Sequence, residues 1–248
     1  MLPEHVDQVL ARLSPTDLVL DVGGWSCPFN RAQWVLDVEP YETRGFYRTL
    51  GGPASQGPAK EWFTRDTWVR RDICDRTPWP FVDRQFDFVV CSHTLEDVRD
   101  PLAVCAEIIR VGKRGYIEVP SRAWESCRGL ERPRQAGLSH HRWLIEVHDA
   151  TLTFLPKYHM INADSRFSLP ASHAGVLGPR GAISWLWWED RFACREVILH
   201  GVANQEAELE AFAEKVRPRP PWLKRLDRRW RVASRWPGRA LGVLRSLC

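Results

Sequence analysis

Short apolar runs alternate with stretches of helical periodicity through the first half of the chain. Val6, Val9, Leu10 and Leu13 recur at helical spacing, which predicts a helix over residues 4–13. Five apolar runs predict strands at 17–22, 34–38, 68–73, 86–92 and 115–119. Strands that alternate with helices or long connections are typical of an α/β fold with a mainly parallel sheet.

The connections between these strands are unequal in length. Only about ten residues separate the glycine pair at 23–24 from the second predicted strand, so we expect a short first crossover helix or none. Residues 41–65 are rich in Gly, Pro, Ser and Thr and predict a long loop. After the fourth strand, Asp100 and Pro101 can begin a helix that Gly112 ends. Further strands are predicted at 151–155, 183–188 and 192–199.

Small and acidic residues follow several of the predicted strands. The first strand is followed by Gly23 and Gly24, the second ends near Asp37, and the fourth ends at Ser92. In an open parallel sheet, ligands bind beyond the carboxyl ends of the strands. A glycine turn lets a ligand approach the backbone closely, and a carboxylate after the second strand matches the two hydroxyls of a ribose. This edge of the sheet is therefore the candidate ligand site.

Three segments resemble a known family. VLDVGG, LDVEP and the block PWPFVDRQFDFVVCSHTLEDVRDPLAVCAEIIRVGKRGYIEVPS are similar, in sequence and order, to the S-adenosylmethionine-dependent methyltransferases of the Rossmann-like class, specifically the small-molecule type 11. The resemblance spans residues 15–121, and the long block is its most specific part. It implies a Rossmann-like, mainly parallel seven-stranded sheet flanked by helices. It also implies S-adenosylmethionine as cofactor and methyl transfer to an oxygen or nitrogen of a small molecule, a sugar or a secondary metabolite.

The glycine turn both follows and departs from the family pattern. The resemblance implies that Asp21, Gly23 and Gly24 lie against the methionine part of the cofactor. Trp25 and Cys27, however, stand where the family has its second and third glycines. We interpret this as a shortened loop in which Trp25 turns away. The alternative is a catalytically inactive methyltransferase-like protein that serves as a binding or scaffold subunit.

Acidic residues after the second and third strands have implied roles in binding the nucleoside. Asp37 would hold the ribose hydroxyls, with Glu39 in its place if the register differs. Asp72 with Ile73, or alternatively Asp75, would contact the adenine, because the connector length leaves both open.

Three histidines are the candidate catalytic residues. Ser92 and His93 would lie beside the sulfonium and the entrance to the acceptor site, where a histidine could act as a general base. His140 and His141 follow a polar loop, and residues 122–142 have the composition of a substrate lid. Each histidine also has a structural interpretation, as a hydrogen-bonding residue without a catalytic role.

The acidic residues nearby have ordinary structural interpretations. Glu96 and Asp97 are interpreted as acids that open a helix, where they meet the helix dipole favourably. Glu118 lies inside the fifth predicted strand, which favours a structural role.

Charge divides the chain into two parts. Residues 215–248 carry eleven Lys or Arg and a single acid, Asp227, whereas the whole chain has a net charge of only +4. We predict a methyltransferase domain at 1–214 and a basic, amphipathic helical extension at 215–248. Such an extension could bind an anionic membrane surface, where the enzyme would modify a glycolipid or polysaccharide. The acidic body argues against a nucleic-acid partner.

The spacing of the cysteines and the length of the apolar runs indicate the cellular compartment. The seven cysteines are scattered and none forms a C-x-x-C pair, which favours a reducing cytoplasm and predicts no metal site. No apolar run approaches the roughly 20 residues that span a bilayer, and residues 1–13 lack the apolar core of a secretory signal. We expect a cytoplasmic protein, with peripheral membrane attachment through 215–248 as an alternative.

Overall fold

A computed structural model describes residues 1–217 and has a six-stranded sheet at its centre. Its strands are β1 Val19–Val22, β2 Trp34–Asp37, β3 Trp68–Arg70, β4 Phe88–Ser92, β5 Arg114–Pro120 and β8 Ile183–Glu189. They lie in the order β3-β2-β1-β4-β5-β8. All pairs are parallel except β5 with β8. The predicted α/β fold with a mainly parallel sheet is confirmed.

A second, smaller sheet lies outside the first. It contains β6 Trp143–His148, β7 Thr151–Pro156 and β9 Ala193–Glu196, in the order β6-β7-β9. Two of the late predicted strands belong to it, so the main sheet has six strands among residues 1–217, where seven were expected. The helices are α1 Pro3–Arg12, α2 Pro101–Val111, α3 Arg122–Glu125, α4 Ala171–Gly181 and α5 Val202–Val216.

Both faces of the six-stranded sheet are covered. Val89 and Ile117 pack with α2 and with apolar residues of the small sheet. Their neighbours Val90 and Tyr116 face the opposite side and pack with α1. Strands that are buried on both faces contain nearly continuous apolar residues, which explains the runs in the sequence.

The connection between β1 and β2 contains no helix, as the short spacing predicted. In the predicted long loop, residues Tyr41–Thr43 and Phe46–Leu50 form 3-10 turns. The helix after β4 begins as predicted, because the Asp100 side chain accepts a hydrogen bond from the Ala103 N–H at 3.0 Å and Pro101 takes the first helical position.

The predicted basic extension lies almost entirely outside the described residues. Helix α5 ends at Val216, and the structure describes nothing beyond Arg217. Among residues 1–217, no helix has the length and apolar character required to cross a membrane.

Candidate active site

The chain turns directly after β1, at the edge where β1, β2 and β4 end. Gly23 adopts a φ of 75°, a left-handed conformation that glycine tolerates, and its N–H donates to the Leu36 carbonyl at 2.9 Å. A Cβ on Gly23 would lie only 2.2 Å from Thr94 Oγ1. The glycine therefore lets the loop after β4 pack directly against the turn after β1.

Asp37 ends β2 with a carboxyl group that is only 7% exposed. Its Oδ1 accepts from the Glu39 N–H and its Oδ2 from the Trp25 N–H, both at 2.9 Å. Burial raises the pKa of Asp37, and these two hydrogen bonds oppose the rise. Each carboxylate oxygen has a second lone pair, so the group can still accept hydrogen bonds from a diol. Glu39, the alternative acid, contributes its backbone N–H to Asp37.

Trp25 leaves the strand edge, as the sequence predicted. Its ring stacks on Phe46 with centroids 4.9 Å apart, and its Nε1 donates to Thr43 Oγ1 at 2.9 Å. Its carbonyl accepts from the Gly45 N–H at 2.8 Å. The long loop thus holds the Trp25 side chain while the Trp25 backbone N–H supports Asp37.

Asp21 lies in the interior, which corrects its predicted role as a cofactor contact. Its side chain is 3% exposed, and Oδ2 accepts from the Phe29 N–H at 2.8 Å. Burial, with a contribution from the charge of Asp37, raises the pKa of Asp21 to about 7. A Cβ on Gly24 would lie 2.3 Å from Asp21 Oδ2. Asp21 therefore anchors the turn from within, and Gly24 leaves room for its carboxyl group.

The predicted adenine contacts occupy three different environments. Asp72 follows β3, where its Oδ2 pairs with Arg99 at 2.5 Å. Burial alone would raise the pKa of Asp72, but the pairing with Arg99 holds it below its ordinary value. The side chain of Ile73 is buried in the core, so only its backbone could face a ligand. Asp75 is exposed and lies 3.7 Å from Arg71.

His93 follows β4 in a left-handed conformation with a φ of 55°, which is uncommon outside glycine. Its Nε2 lies 3.2 Å from Glu118 Oε1 and its Nδ1 lies 3.4 Å from Glu96 Oε1. The side chain is 35% exposed. Burial alone would lower the pKa of His93, but the two carboxylates raise it to about 9. The imidazole is therefore protonated at neutral pH.

Glu118 links His93 to Tyr116 of β5 and to His5 of α1. Its Oε2 accepts from the Tyr116 hydroxyl at 2.5 Å and lies 3.2 Å from His5 Nδ1. Burial would raise the pKa of Glu118, but the pairing with His93 holds it well below its ordinary value. Glu118 thus fixes the position of His93 from inside β5.

His141 lies on the same side of the site as His93. Its Nδ1 is 2.8 Å from Glu125 Oε1, and its Nε2 is 3.8 Å from Asp97 Oδ1. Lys157 Nζ donates to Glu125 Oε2 at 2.7 Å. Burial alone would lower the pKa of His141. Pairing with Glu125 raises it instead, and the nearby charge of Glu96 contributes to the increase. Glu96 therefore lies between the two histidines.

The predicted lid consists of a buried part and an exposed part. Arg122 and Glu125 of α3 are buried, and Cys127 pairs with Leu169 in an isolated bridge. Residues 131–134 and 139–140 are exposed, and His140 belongs to this part. A cover that could move is therefore shorter than the predicted 122–142.

Sequence reasoning missed the charged residues that connect these histidines. Glu96 and Asp97 form a turn before α2, which starts only at Pro101, so the interpretation as helix-opening acids was wrong. Two adjacent acids beside His93, in the loop after the central β4, were the signal available in the sequence. Glu125 and Lys157 had no such signal, because their contact depends on tertiary packing.

These residues satisfy the requirements of the implied cofactor. Asp37 keeps free lone pairs for a diol at the end of β2. Ser92, at the end of β4, has a buried Oγ with no hydrogen-bond partner among residues 1–217. Trp25 does not fill the position of the glycine it replaces, since its ring lies on Phe46. The donor set at this edge therefore fits S-adenosylmethionine.

A comparison with family models agrees with the sequence resemblance. Residues 53–117 match the type 11 family model described as a methyltransferase domain. A putative methyltransferase from Bacillus halodurans C-125 has 20% identity, with 48% of this chain and 51% of its own length covered and a TM-score of 0.34. An S-adenosylmethionine-dependent methyltransferase from Methanosarcina mazei has 17% identity, with 56% and 85% covered and a TM-score of 0.36.

This chain spans about half the length of the first of these structures. A search of curated proteins found no match. The family match covers β3, β4, α2 and most of β5, which is the block that carries the resemblance in the sequence. Residues 53–117 are therefore similar to a type 11 methyltransferase domain, in agreement with the sequence resemblance to S-adenosylmethionine-dependent methyltransferases.

Proposed function

We propose that this protein transfers the methyl group of S-adenosylmethionine to an oxygen or nitrogen of a small molecule, such as a sugar or a secondary metabolite. The proposal is carried by the contact between two groups of residues. Thr94 packs on Gly23, so the loop that bears His93 and Glu96 adjoins the turn beside Asp37. A binding site for the nucleoside thus lies next to side chains that can bind an acceptor and take up its proton.

The cofactor, when bound, supplies a methyl group on a positively charged sulfur that a nucleophile can displace in line. The chain holds the two reactants in alignment, which can account for much of the acceleration in such a displacement. Asp37 would hold the ribose hydroxyls, and the turn at Gly23 and Gly24 would hold the methionine part. Ser92 would lie near the sulfonium.

Proton transfer falls to Glu96 in this proposal, and His93 has a different role from the one the sequence suggested. His93 is protonated at neutral pH and cannot act as a base there. Neither oxygen of Glu96 accepts a hydrogen bond from residues 1–217, although both are buried. Glu96 can therefore receive a proton from an acceptor hydroxyl or amine while His93 holds it in place. His140, at the exposed rim, contacts the acceptor.

Calorimetry with S-adenosylmethionine and S-adenosylhomocysteine tests the cofactor half of the proposal. We expect both to bind, and Asp37→Ala to weaken binding at least about tenfold, because two hydrogen bonds to a charged group are lost. Asp66→Ala is the matched control, since Asp66 is exposed in the 3-10 turn before β3. Unchanged affinity in a folded Asp37→Ala variant would show that another residue holds the ribose.

A binding or scaffold protein is the second candidate, and one observation favours it. Trp25 stands at the position of the second family glycine, and its N–H already occupies one lone pair of Asp37. If neither nucleoside binds at concentrations of about 1 mM, which corresponds to a binding free energy weaker than about −4 kcal/mol, the scaffold function replaces methyl transfer.

A further inference from the structure

Three potential metal ligands converge at the mouth of the acceptor site. Asp97 lies in the turn after β4, and His140 and His141 lie in the loop before β6. One ligand atom from each side chain can be chosen so that all lie within 4.8 Å of one another. Two imidazoles and one carboxylate form a donor set that binds divalent first-row transition metals.

A neighbouring carboxylate orients His141 as in many metal sites. Glu125 Oε1 lies 2.8 Å from Nδ1, which leaves Nε2 directed toward Asp97 Oδ1 at 3.8 Å. Metal-bound histidines usually place their second ring nitrogen against such a carboxylate. Lys157 pairs with the other oxygen of Glu125 at 2.7 Å, so Glu125 is held as the orienting group.

Three buried carboxylate oxygens at this point lack hydrogen-bond partners among residues 1–217, and the nearest imidazoles, of His93 and His141, are 3.4 and 3.8 Å away. Asp97 Oδ1 is buried and has no hydrogen-bond partner among residues 1–217. The same holds for both oxygens of Glu96, which adjoins Asp97 in the sequence. A buried carboxylate oxygen without a partner is costly, and two adjacent ones repel each other. A divalent cation would relieve both costs.

We propose that Asp97, His140 and His141 bind a divalent transition-metal ion such as zinc. Three protein ligands leave a further coordination position open, as in catalytic zinc sites. Ligand atoms around a tetrahedral zinc are about 3.3 Å apart, as follows from bond lengths near 2 Å. His140 is exposed, so its ring can close the remaining gap by a rotamer change. The sequence predicted no metal site, because these ligands come from two distant loops and form no spacing motif.

Metal binding can be measured without any assay of methyl transfer. Tag-free full-length protein is first treated with a chelator, which is then removed by buffer exchange. The protein is titrated with Zn²⁺ by calorimetry and with Co²⁺ by visible absorption. We expect a single tight equivalent of each metal, and cobalt bands of nitrogen and oxygen coordination without thiolate charge transfer. This outcome would hold whether or not the protein binds S-adenosylmethionine.

Variants assign the metal to these residues. His140→Ala and Asp97→Asn should each weaken metal binding at least about tenfold, while His148→Ala, at an exposed histidine in β6, should bind metal as the wild type does. His140 is exposed, so its replacement leaves the core intact. The proposal is overturned if the wild type binds no metal at about 100 µM, if both variants bind as tightly as the wild type, or if cobalt shows thiolate ligation.

Discussion

Two pairs of buried carboxyl groups at the same sheet edge have opposite electrostatic settings. Asp21 and Asp37, at β1 and β2, accept hydrogen bonds from backbone N–H groups, and their pKa values are raised by burial. Glu118 and Glu125, at β5 and α3, face the imidazoles of His93 and His141, and their pKa values are lowered.

Burial is similar for all four groups, which are between 1% and 7% exposed. Burial alone disfavours an ionised carboxyl group, and a cation within about 4 Å can reverse the effect. On the proposed nucleoside side, Asp21 and Asp37 thus have no cation partner among residues 1–217. On the proposed acceptor side, Glu118 and Glu125 pair with cations, which fixes the histidines in position.

Removal of Glu118 should produce the largest loss of stability, because it removes the carboxylate that pairs with His93. Glu118→Ala would leave His93 and the Tyr116 hydroxyl without their buried partner. We expect a loss of about 3–5 kcal/mol in the free energy of unfolding, measured by urea denaturation. Glu118→Gln should cost less, and it should lower the pKa of His93, which NMR titration would detect.

The control for this variant is Glu214→Ala, at an exposed position on α5. It should change the free energy of unfolding by less than about 0.5 kcal/mol. If Glu118→Ala is no more costly than this control, the charged network does not stabilise the fold.

Much of the fold could be predicted because its signals are local. Each central strand is buried on both faces and so contains a continuous apolar run, and α2 has its cap, proline and terminal glycine in sequence. β6 was missed, since no strand was predicted at residues 143–148. Its identity as a strand depends on pairing with β7, and the composition of the segment does not specify that pairing.

The candidate site divides in the same way. Asp37 and the glycine turn could be placed at strand ends from the sequence, because the apolar runs before them mark where the strands end. Glu125 and Lys157 were not found, since only the tertiary fold brings α3 to His141, before β6, and to Lys157, after β7. Glu96 was seen but assigned to a helix that starts later in the chain. Ion networks assembled from separate loops have no sequence period that could reveal them.

The pH dependence of stability tests the buried carboxyl groups that have raised pKa values, beginning with Asp21. The pKa of Asp21 is about 7 in the folded protein and 3.8 in its ordinary state. The folded state therefore holds the proton of Asp21 more tightly than the unfolded state does. The stabilisation from this proton is complete below about pH 4 and is lost as the pH rises through about 7. Over this window the free energy of unfolding should fall by up to about 4 kcal/mol on account of Asp21.

Asp21→Asn isolates this contribution, since the amide oxygen can still accept from the Phe29 N–H. The variant should lack the decline between pH 4 and 7, which urea denaturation at several pH values would measure. The pKa of Glu118 is lowered in the folded protein. Its contribution to the free energy of unfolding is therefore complete above its ordinary pKa and is lost only as the pH falls below that value. Parallel pH profiles for the variant and the wild type would show that Asp21 is ionised in the folded protein.

The smallest effect is expected where the nucleoside side meets the long loop. Trp25→Phe keeps the aromatic stack on Phe46 and the backbone N–H that supports Asp37, but it removes the hydrogen bond from Nε1 to Thr43. We expect a loss of about 0.5–1.5 kcal/mol in the free energy of unfolding and an unchanged affinity for S-adenosylhomocysteine. Thr43→Val removes the other partner and also the hydrogen bond from the Thr43 hydroxyl to the Pro40 carbonyl, so it should leave the nucleoside affinity unchanged and cost at least as much stability. A tenfold change in nucleoside affinity in Trp25→Phe would mean that the indole itself contacts the ligand, and that the free lone pairs of Asp37 do not by themselves define the nucleoside side.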